Sequence, residues 1–391
     1  MPRGYACRIM ELKYCVKCVM PNTRPKLSFN KDGVCSACIG AEENKRIDWK
    51  SREKELAKIF DKHRSKTKYD CIVPVSGGKD SIYQVHVVKN VYNMNPLCVT
   101  YRSDTRTKIG EHNIQVLRNM GVDHIDFTPN PIGFRKLCKK TFEEVGDCSI
   151  ADHLAIWGSI PKFSIAFNIP LVIYGENPDM EYGADRSERE ISTINRNWLK
   201  NQPILKGRTA EDWCDKDLKV EEIRALTYPS HKELDKIGYT PIFLGYYLPW
   251  DVKQNFLIAK TYGFMERQRP IMGIYRYADL DCIRIVIHHY FKWLKFGFNK
   301  VTDNACNEIR KGRMTRDEAI RLVRENDGLK PPKEYIMQFC NYIGITEKHY
   351  WDVMERFRNK DIWKKDKSGE WYLEGWIGGE KMPDNFQHEW P

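Results

Sequence analysis

From Tyr69 onward the apolar positions switch between two rhythms, short consecutive runs and longer stretches apolar at every third or fourth place. Cys71-Ile-Val-Pro-Val75 is a run, Ile82, Val85, Val88 and Tyr92 share one helical face, and Pro96-Leu-Cys-Val-Thr100 is again a run. Ile109, Asn113, Val116 and Met120 fall in helical register with Gly121 as a natural stop, before a short strand at His124-Ile-Asp-Phe127. Helical stretches near Phe134 to Val145 and Ile150 to Phe167 lead to a strand, Pro170-Leu-Val-Ile-Tyr174, that ends at Gly175-Glu176-Asn177. Such alternation predicts an α/β fold with a parallel sheet and helices on both faces.

On either side of this unit the pattern changes. Trp49, Glu53, Leu56 and Phe60 are spaced as one face of an amphipathic linker helix. After roughly Thr240 the chain reads as helical. Thr315-Arg-Asp-Glu318 is a capping box, with Ala319, Leu322 and Val323 on one face and Gly328 at the stop. Ile336, Phe339, Cys340 and Ile343 mark a further helix, and Tyr350, Val353, Met354 and Phe357 another. Trp363, Trp371, Trp376 and Trp390 make the last stretch too aromatic for a disordered tail. The expected organisation is a metal module over 1–48, a linker helix over 49–68, a nucleotide domain over 69–240 and a mostly helical substrate or partner subdomain over 241–391.

Ser76-Gly-Gly-Lys-Asp-Ser81 joins the first strand to its helix. A glycine-rich turn there lets backbone N–H groups converge on phosphate oxygens at the positive end of a helix. Gly77 and Gly78 then permit close approach, Ser76 and Ser81 offer hydroxyls, Lys79 neutralises phosphate, and Asp80 holds Mg²⁺. The spacing lacks the four-residue gap of a Walker loop, which argues against γ-phosphate transfer. Ligands of open α/β sheets sit beyond the carboxyl ends of the strands, so Ser76, Tyr101, Gly175 and Glu176 are expected around one crevice. Lys79, Asp80 and Glu176 are the candidate catalytic residues, with Arg102 and Asp104 lesser candidates near the nucleotide. Asn177, Tyr247, Trp250 and Asp251 are candidate substrate contacts. His288 and His289 read as packing residues.

Cys15-Val-Lys-Cys18 and Cys35-Ser-Ala-Cys38 flank a turn-rich segment, the spacing of a Cys₄ zinc knuckle, with an iron–sulfur cluster as the lesser alternative. Four thiolates close the metal shell, so the ion is expected to be structural. The other cysteines, among them Cys138, Cys148, Cys214, Cys282 and Cys306, have no paired spacing, unlike a secreted disulfide framework.

The 391 residues carry a net charge of +11, which favours anionic partners such as nucleotides, sugar nucleotides or nucleic acid. Met1 to Leu12 is interrupted by Arg3, Arg8 and Glu11, unlike a signal peptide. Cys282 to Phe298 is broken by Arg284, His288, His289, Lys292 and Lys295, unlike a membrane span. A soluble cytoplasmic protein is the expectation.

The Ser76–Ser81 loop resembles the signature of the PP-loop ATP pyrophosphatases, which implies an adenine nucleotide alpha hydrolase-like domain that adenylates a carbonyl oxygen and releases pyrophosphate. Tyr14-Cys-Val-Lys-Cys-Val-Met-Pro-Asn-Thr23, Gly33-Val-Cys-Ser-Ala-Cys38, Tyr174-Gly-Glu-Asn177, Glu181-Tyr-Gly183 and Gly245-Tyr-Tyr-Leu-Pro-Trp-Asp251 together resemble the N-acetyl sugar amidotransferases of the WbpG and PseA type, which act in lipopolysaccharide and flagellin-glycan biosynthesis. That resemblance implies ATP and Mg²⁺ as cosubstrate and cofactor, structural Zn²⁺, and an acetamido group on a nucleotide-linked sugar converted to an acetamidino group. It also implies ammonia from a separate glutaminase with a cyclase-like partner of the HisH/HisF kind, since no glutaminase nucleophile turn occurs here. A tRNA-modifying thiolase of the same superfamily, or a non-catalytic zinc-containing nucleic-acid-binding protein, are the alternatives.

Overall fold

The structure is a computed structural model that describes residues 11–65, 68–183 and 192–379. Its centre is a sheet of five strands: β1 Cys71–Pro74, β2 Pro96–Tyr101, β3 Asp123–Phe127, β4 Leu171–Tyr174 and β5 Thr240–Phe243. They are parallel throughout, in the order β3-β2-β1-β4-β5, with Cys71 opposite Pro96 and Ile72 opposite Val172. Successive side chains of a strand point to opposite faces. Cys71 and Val73 accordingly enter one core with Ile82, Val85 and Leu117, while Ile72 enters another with Leu97, Leu137 and Leu154. The α/β expectation holds, helices on both faces included.

Helices α1 (Ser36–Asn44) and α2 (Trp49–His63) precede the sheet, and Leu56 and Phe60 of α2 are buried. Helix α3 (Lys79–Val85) runs on as a π-helical turn to Val91, and α4 (Lys108–Arg118) follows β2. Helices α5 (Pro131–Val145) and α6 (Ile150–Phe167) cover the opposite face, and α7 (Pro178–Tyr182) follows β4.

The chain does not turn helical at Thr240. Residues 240–243 pair with β4 as the fifth strand, so the boundary expected there runs through the sheet. The reason for the discrepancy is Pro241, which cannot donate to a ladder and therefore reads against a strand, yet is tolerated on an edge. The helix Val252–Thr261 then packs on the nucleotide-loop side, where Ala259 and Phe264 join the core of α3.

Beyond this, the helices Arg284–Phe296, Lys300–Arg310, Arg316–Asn326, Lys333–Ile343 and Glu347–Arg356 form the C-terminal layer. The capping box on Thr315 and Glu318 is formed on both sides. A hairpin, β6 Trp363–Lys365 with β7 Trp371–Leu373, closes it, and Trp363 and Trp376 pack edge-on against Trp293. Trp390 lies outside the described residues. No helix among the described residues is long and apolar enough to cross a membrane; the Arg284–Phe296 helix packs its apolar face into the core instead.

Candidate active site and metal centre

The strand order reverses direction between β1 and β4, and at such a switch point the loops leaving the two strands separate and open a crevice. The Ser76–Ser81 loop leaves β1 there and Gly175-Glu176 leaves β4, so those two expected partners do meet. Gly77 sits at φ +82°, and a Cβ on it would stand 3.0 Å from the Ile114 amide nitrogen; only glycine turns here without strain. Ser81 Oγ accepts from Ser76 N–H at 2.9 Å and Ser76 Oγ from Gly78 N–H at 3.2 Å, which fixes the turn. No side chain caps α3 at Gly78.

Lys79 Nζ donates to Asp80 Oδ2 at 2.7 Å, and Asn255 Nδ2 donates to Asp80 Oδ1 at 2.8 Å. Across the cleft, of about 200 Å³, stand Glu176, Asp279, Asp281 and Lys300. Its roof, Leu280 to Cys282, is strapped to the start of α4: Thr107 N–H donates to Asp281 O at 3.0 Å. The Glu176 carboxyl is pushed up to about 7 by burial and by facing Asp80 and Glu181, with Lys79 and Lys300 opposing. Burial also raises the Asp281 carboxyl. For Asp279, Lys300 and His289 outweigh burial and hold the carboxyl well below its ordinary range.

Carboxylates gathered across a polar cleft, with lysines beside them, are the donor set a hard divalent ion needs, and the residues present fit Mg²⁺. Bound with a polyphosphate, Mg²⁺ would neutralise charge, and Asp80 and Glu176 would be the residues to hold it.

Other expected contacts fall elsewhere. The Tyr101 ring packs on Phe134, and its hydroxyl donates to Asp152 Oδ1 at 3.1 Å and accepts from Arg284 Nη2 at 3.2 Å, so it does not line the cleft. The strand's alternation turns it to the α5 and α6 face. Gly175 borders the site for a packing reason, since a Cβ would meet Gln84 at 2.9 Å and Trp250 at 3.1 Å. The expected substrate contacts stand outside the cleft: Tyr247 and Trp250 are buried in the α3 core, Asn177 caps α7, and Asp251 caps Val252–Thr261 while pairing with Arg313 at 2.6 Å. Arg102 is paired with Asp126, and Asp104 accepts from Tyr342. Conversely, Asn255, Asp279, Lys300 and His289 came with no local motif, and only the fold brings them to the site.

The metal centre is as the spacing suggested. Cys15, Cys18, Cys35 and Cys38 are buried, with their sulfurs all within 4.8 Å of one another. Tetrahedral thiolates at a Zn–S distance of about 2.3 Å would be about 3.8 Å apart; Cys18 and Cys35 are 3.8 Å apart and Cys15 and Cys38 3.9 Å. Backbone N–H groups of Cys18 and Cys35 point at Cys15 Sγ, at 3.5 and 3.3 Å, as thiolate acceptors require. The donor set fits a metal ion. The module is bound to the C-terminal layer through Arg316 Nε to Cys18 O at 3.2 Å and an ion pair of Arg24 with Asp303.

Residues 262–376 match the family model of the LPS biosynthesis protein WbpG-like, C-terminal domain. This part of the chain belongs to the WbpG-like family. The match begins just after the Val252–Thr261 helix and carries the cleft's Asp279 and Lys300. Among solved structures, the U34-tRNA thiolase NcsA from Methanococcus maripaludis with its [4Fe-4S] cluster aligns at 14% identity over 85% of this chain and 96% of that chain, with a TM-score of 0.33, too low to speak for activity. No curated protein matches the chain.

Proposed function

We propose that the chain is an ATP-dependent amidotransferase acting on a nucleotide-linked N-acetyl sugar. The amide oxygen attacks the α-phosphorus of ATP and pyrophosphate leaves. Ammonia adds to the activated carbon, one of its protons passes to a base, and AMP departs with the C–O bonding pair, leaving an acetamidine. Adenylation turns an amide oxygen, a poor leaving group, into a phosphate ester. The observation that carries the reading is the convergence of Lys79, Asp80 and Glu176 at the switch point of the sheet, in a chain whose C-terminal region is WbpG-like.

Lys79 and Lys300 would face the phosphates, Asp80 and Glu176 the Mg²⁺, and the Cys₄ site would hold structural Zn²⁺. Ammonia supplied by a separate glutaminase with its cyclase-like partner belongs to this reading, as does a cytoplasmic setting for lipopolysaccharide or flagellin-glycan synthesis. The test is incubation with ATP, Mg²⁺ and concentrated ammonium salt, presenting UDP-linked N-acetyl sugars and bulk tRNA separately. AMP and pyrophosphate with a sugar mass change of about −1 Da, oxygen replaced by NH, are expected. AMP with tRNA alone would move the assignment to RNA modification.

A further inference from the structure

Glu176 and Lys300 line two cavities, the phosphate cleft on one side and a larger space of about 530 Å³ on the other. The second falls in the size range of small-molecule sites. Trp157, Trp198, Phe243, Phe296 and Phe298 are among its walls, with Trp157 and Trp198 edge-to-face at 5.6 Å. Arg24, Lys26, Lys206, Lys292, Lys295 and Lys300 face Asp147, Glu176, Asp179 and Asp303 across it, an excess of positive charge.

The acids are largely engaged already. Asp303 pairs with Arg24 and Lys292, Asp147 accepts from His288 at 3.1 Å, and Asp179 accepts from Trp198 Nε1 at 2.9 Å. Two lysines have no such match. Lys295 donates to the carbonyls of Val145 and Gly146, at 2.6 Å each, and among the described residues neither it nor Lys206 has a carboxylate within ion-pair distance. On the wall shared with the cleft, His289 is 3% exposed, and its Nδ1 is a buried atom with no hydrogen-bond partner among the described residues.

We infer that this cavity holds the acceptor substrate, a sugar joined to a nucleoside diphosphate, with its rings against the aromatic walls and its phosphates near Lys206 and Lys295. Its amide then lies at the Glu176–Lys300 junction, where among the described residues the cavity meets the phosphate cleft, and His289 lines the wall beside it. Aromatic faces take flat rings and sugar C–H surfaces, while cations take phosphate. The assignment rests on the adenylation reading for its chemistry, but its location stands on the cavity alone.

The experiment is calorimetric titration of the full chain with UDP-N-acetylglucosamine and, separately, with ATP and Mg²⁺, in the wild type, Lys206→Gln and Lys295→Met. Lys206 is exposed, so its variant keeps the test valid if the second loses stability. Each substitution is expected to weaken UDP-N-acetylglucosamine about tenfold and leave ATP affinity unchanged. No binding by the wild type, or equal binding by both variants, overturns the site. ATP failing to bind while UDP-N-acetylglucosamine behaves as expected would overturn the adenylation reading and leave the site standing.

Discussion

Asp279 and His289 stand on either side of the wall between the two cavities, with His289 Nε2 3.3 Å from Asp279 Oδ2. Asp279 borders the phosphate cleft and His289 the aromatic cavity. A carboxylate on Nε2 favours the proton there and leaves Nδ1 as a lone pair. Burial pushes the His289 pKa down to about 4 despite Asp279, so the ring is neutral at physiological pH. Such a ring can accept the proton that ammonia gives up. His289→Asn is expected to lower ammonia-dependent AMP formation by about 10²-fold. Exchange of labelled pyrophosphate into ATP in the presence of the sugar substrate, which reports adenylation alone, should stay within about twofold. An equal fall in both would mean that His289 only packs.

Lys79 and Asp80 are predicted to act before that step. Lys79→Met keeps the buried stem of a residue 9% exposed, and Asp80→Asn keeps the side-chain oxygen that Asn255 meets. Each should cut pyrophosphate release by about 10²- to 10³-fold. Melting temperature should move by less than about 3 °C. Full turnover in either variant would remove the phosphate role of the loop.

What could be read from the sequence was what is local. The loop between β1 and α3, the two Cys-x-x-Cys pairs and the capping box at Thr315 each specify their geometry within a few residues. The aromatic cavity is different, because Arg24, Trp157 and the stretch from His289 to Lys300 come from three distant segments and meet only after the metal module docks. Trp250 and Asp251 carried a plausible sugar-binding composition, yet packing against Gly175 and helix capping account for both. Neighbouring residues on a helix point about 100° apart, so His288 reaches Asp147 while His289 reaches Asp279. A dipeptide motif could not have distinguished them.

Asp327 should set a pH dependence of stability. It is fully buried, accepts from the backbone N–H groups of Asn299 and Thr302 at 3.2 and 3.4 Å, and burial pushes its carboxyl up to about 7 from 3.8. Between those values the folded chain keeps a proton that the unfolded chain has released. The unfolded state therefore binds fewer protons, and stability falls as pH rises through this window. Asp327→Asn removes the titration and should flatten the profile, by at most about 4 kcal/mol between pH 4 and 8. Parallel denaturation curves for the two proteins over that range would contradict the assignment.

Metal removal should weaken the acceptor substrate more than ATP. An ion in the Cys₄ site would fix the segment that carries Arg24, Pro25 and Lys26 to the cavity rim, while the Ser76–Ser81 loop is built by the sheet. Gly183 supports the same docking: a Cβ there would come within 2.4 Å of Ala37, at φ +86°. Cys38→Ser or chelation is expected to lower metal content, destabilise the module and weaken UDP-N-acetylglucosamine by about tenfold or more. ATP affinity should change by less than about threefold, because none of the described residues lining the phosphate cleft comes from the module. Metal analysis together with the two titrations decides the matter. A metal-free protein that binds both ligands as the wild type does would show that the ion holds neither the module nor the cavity rim.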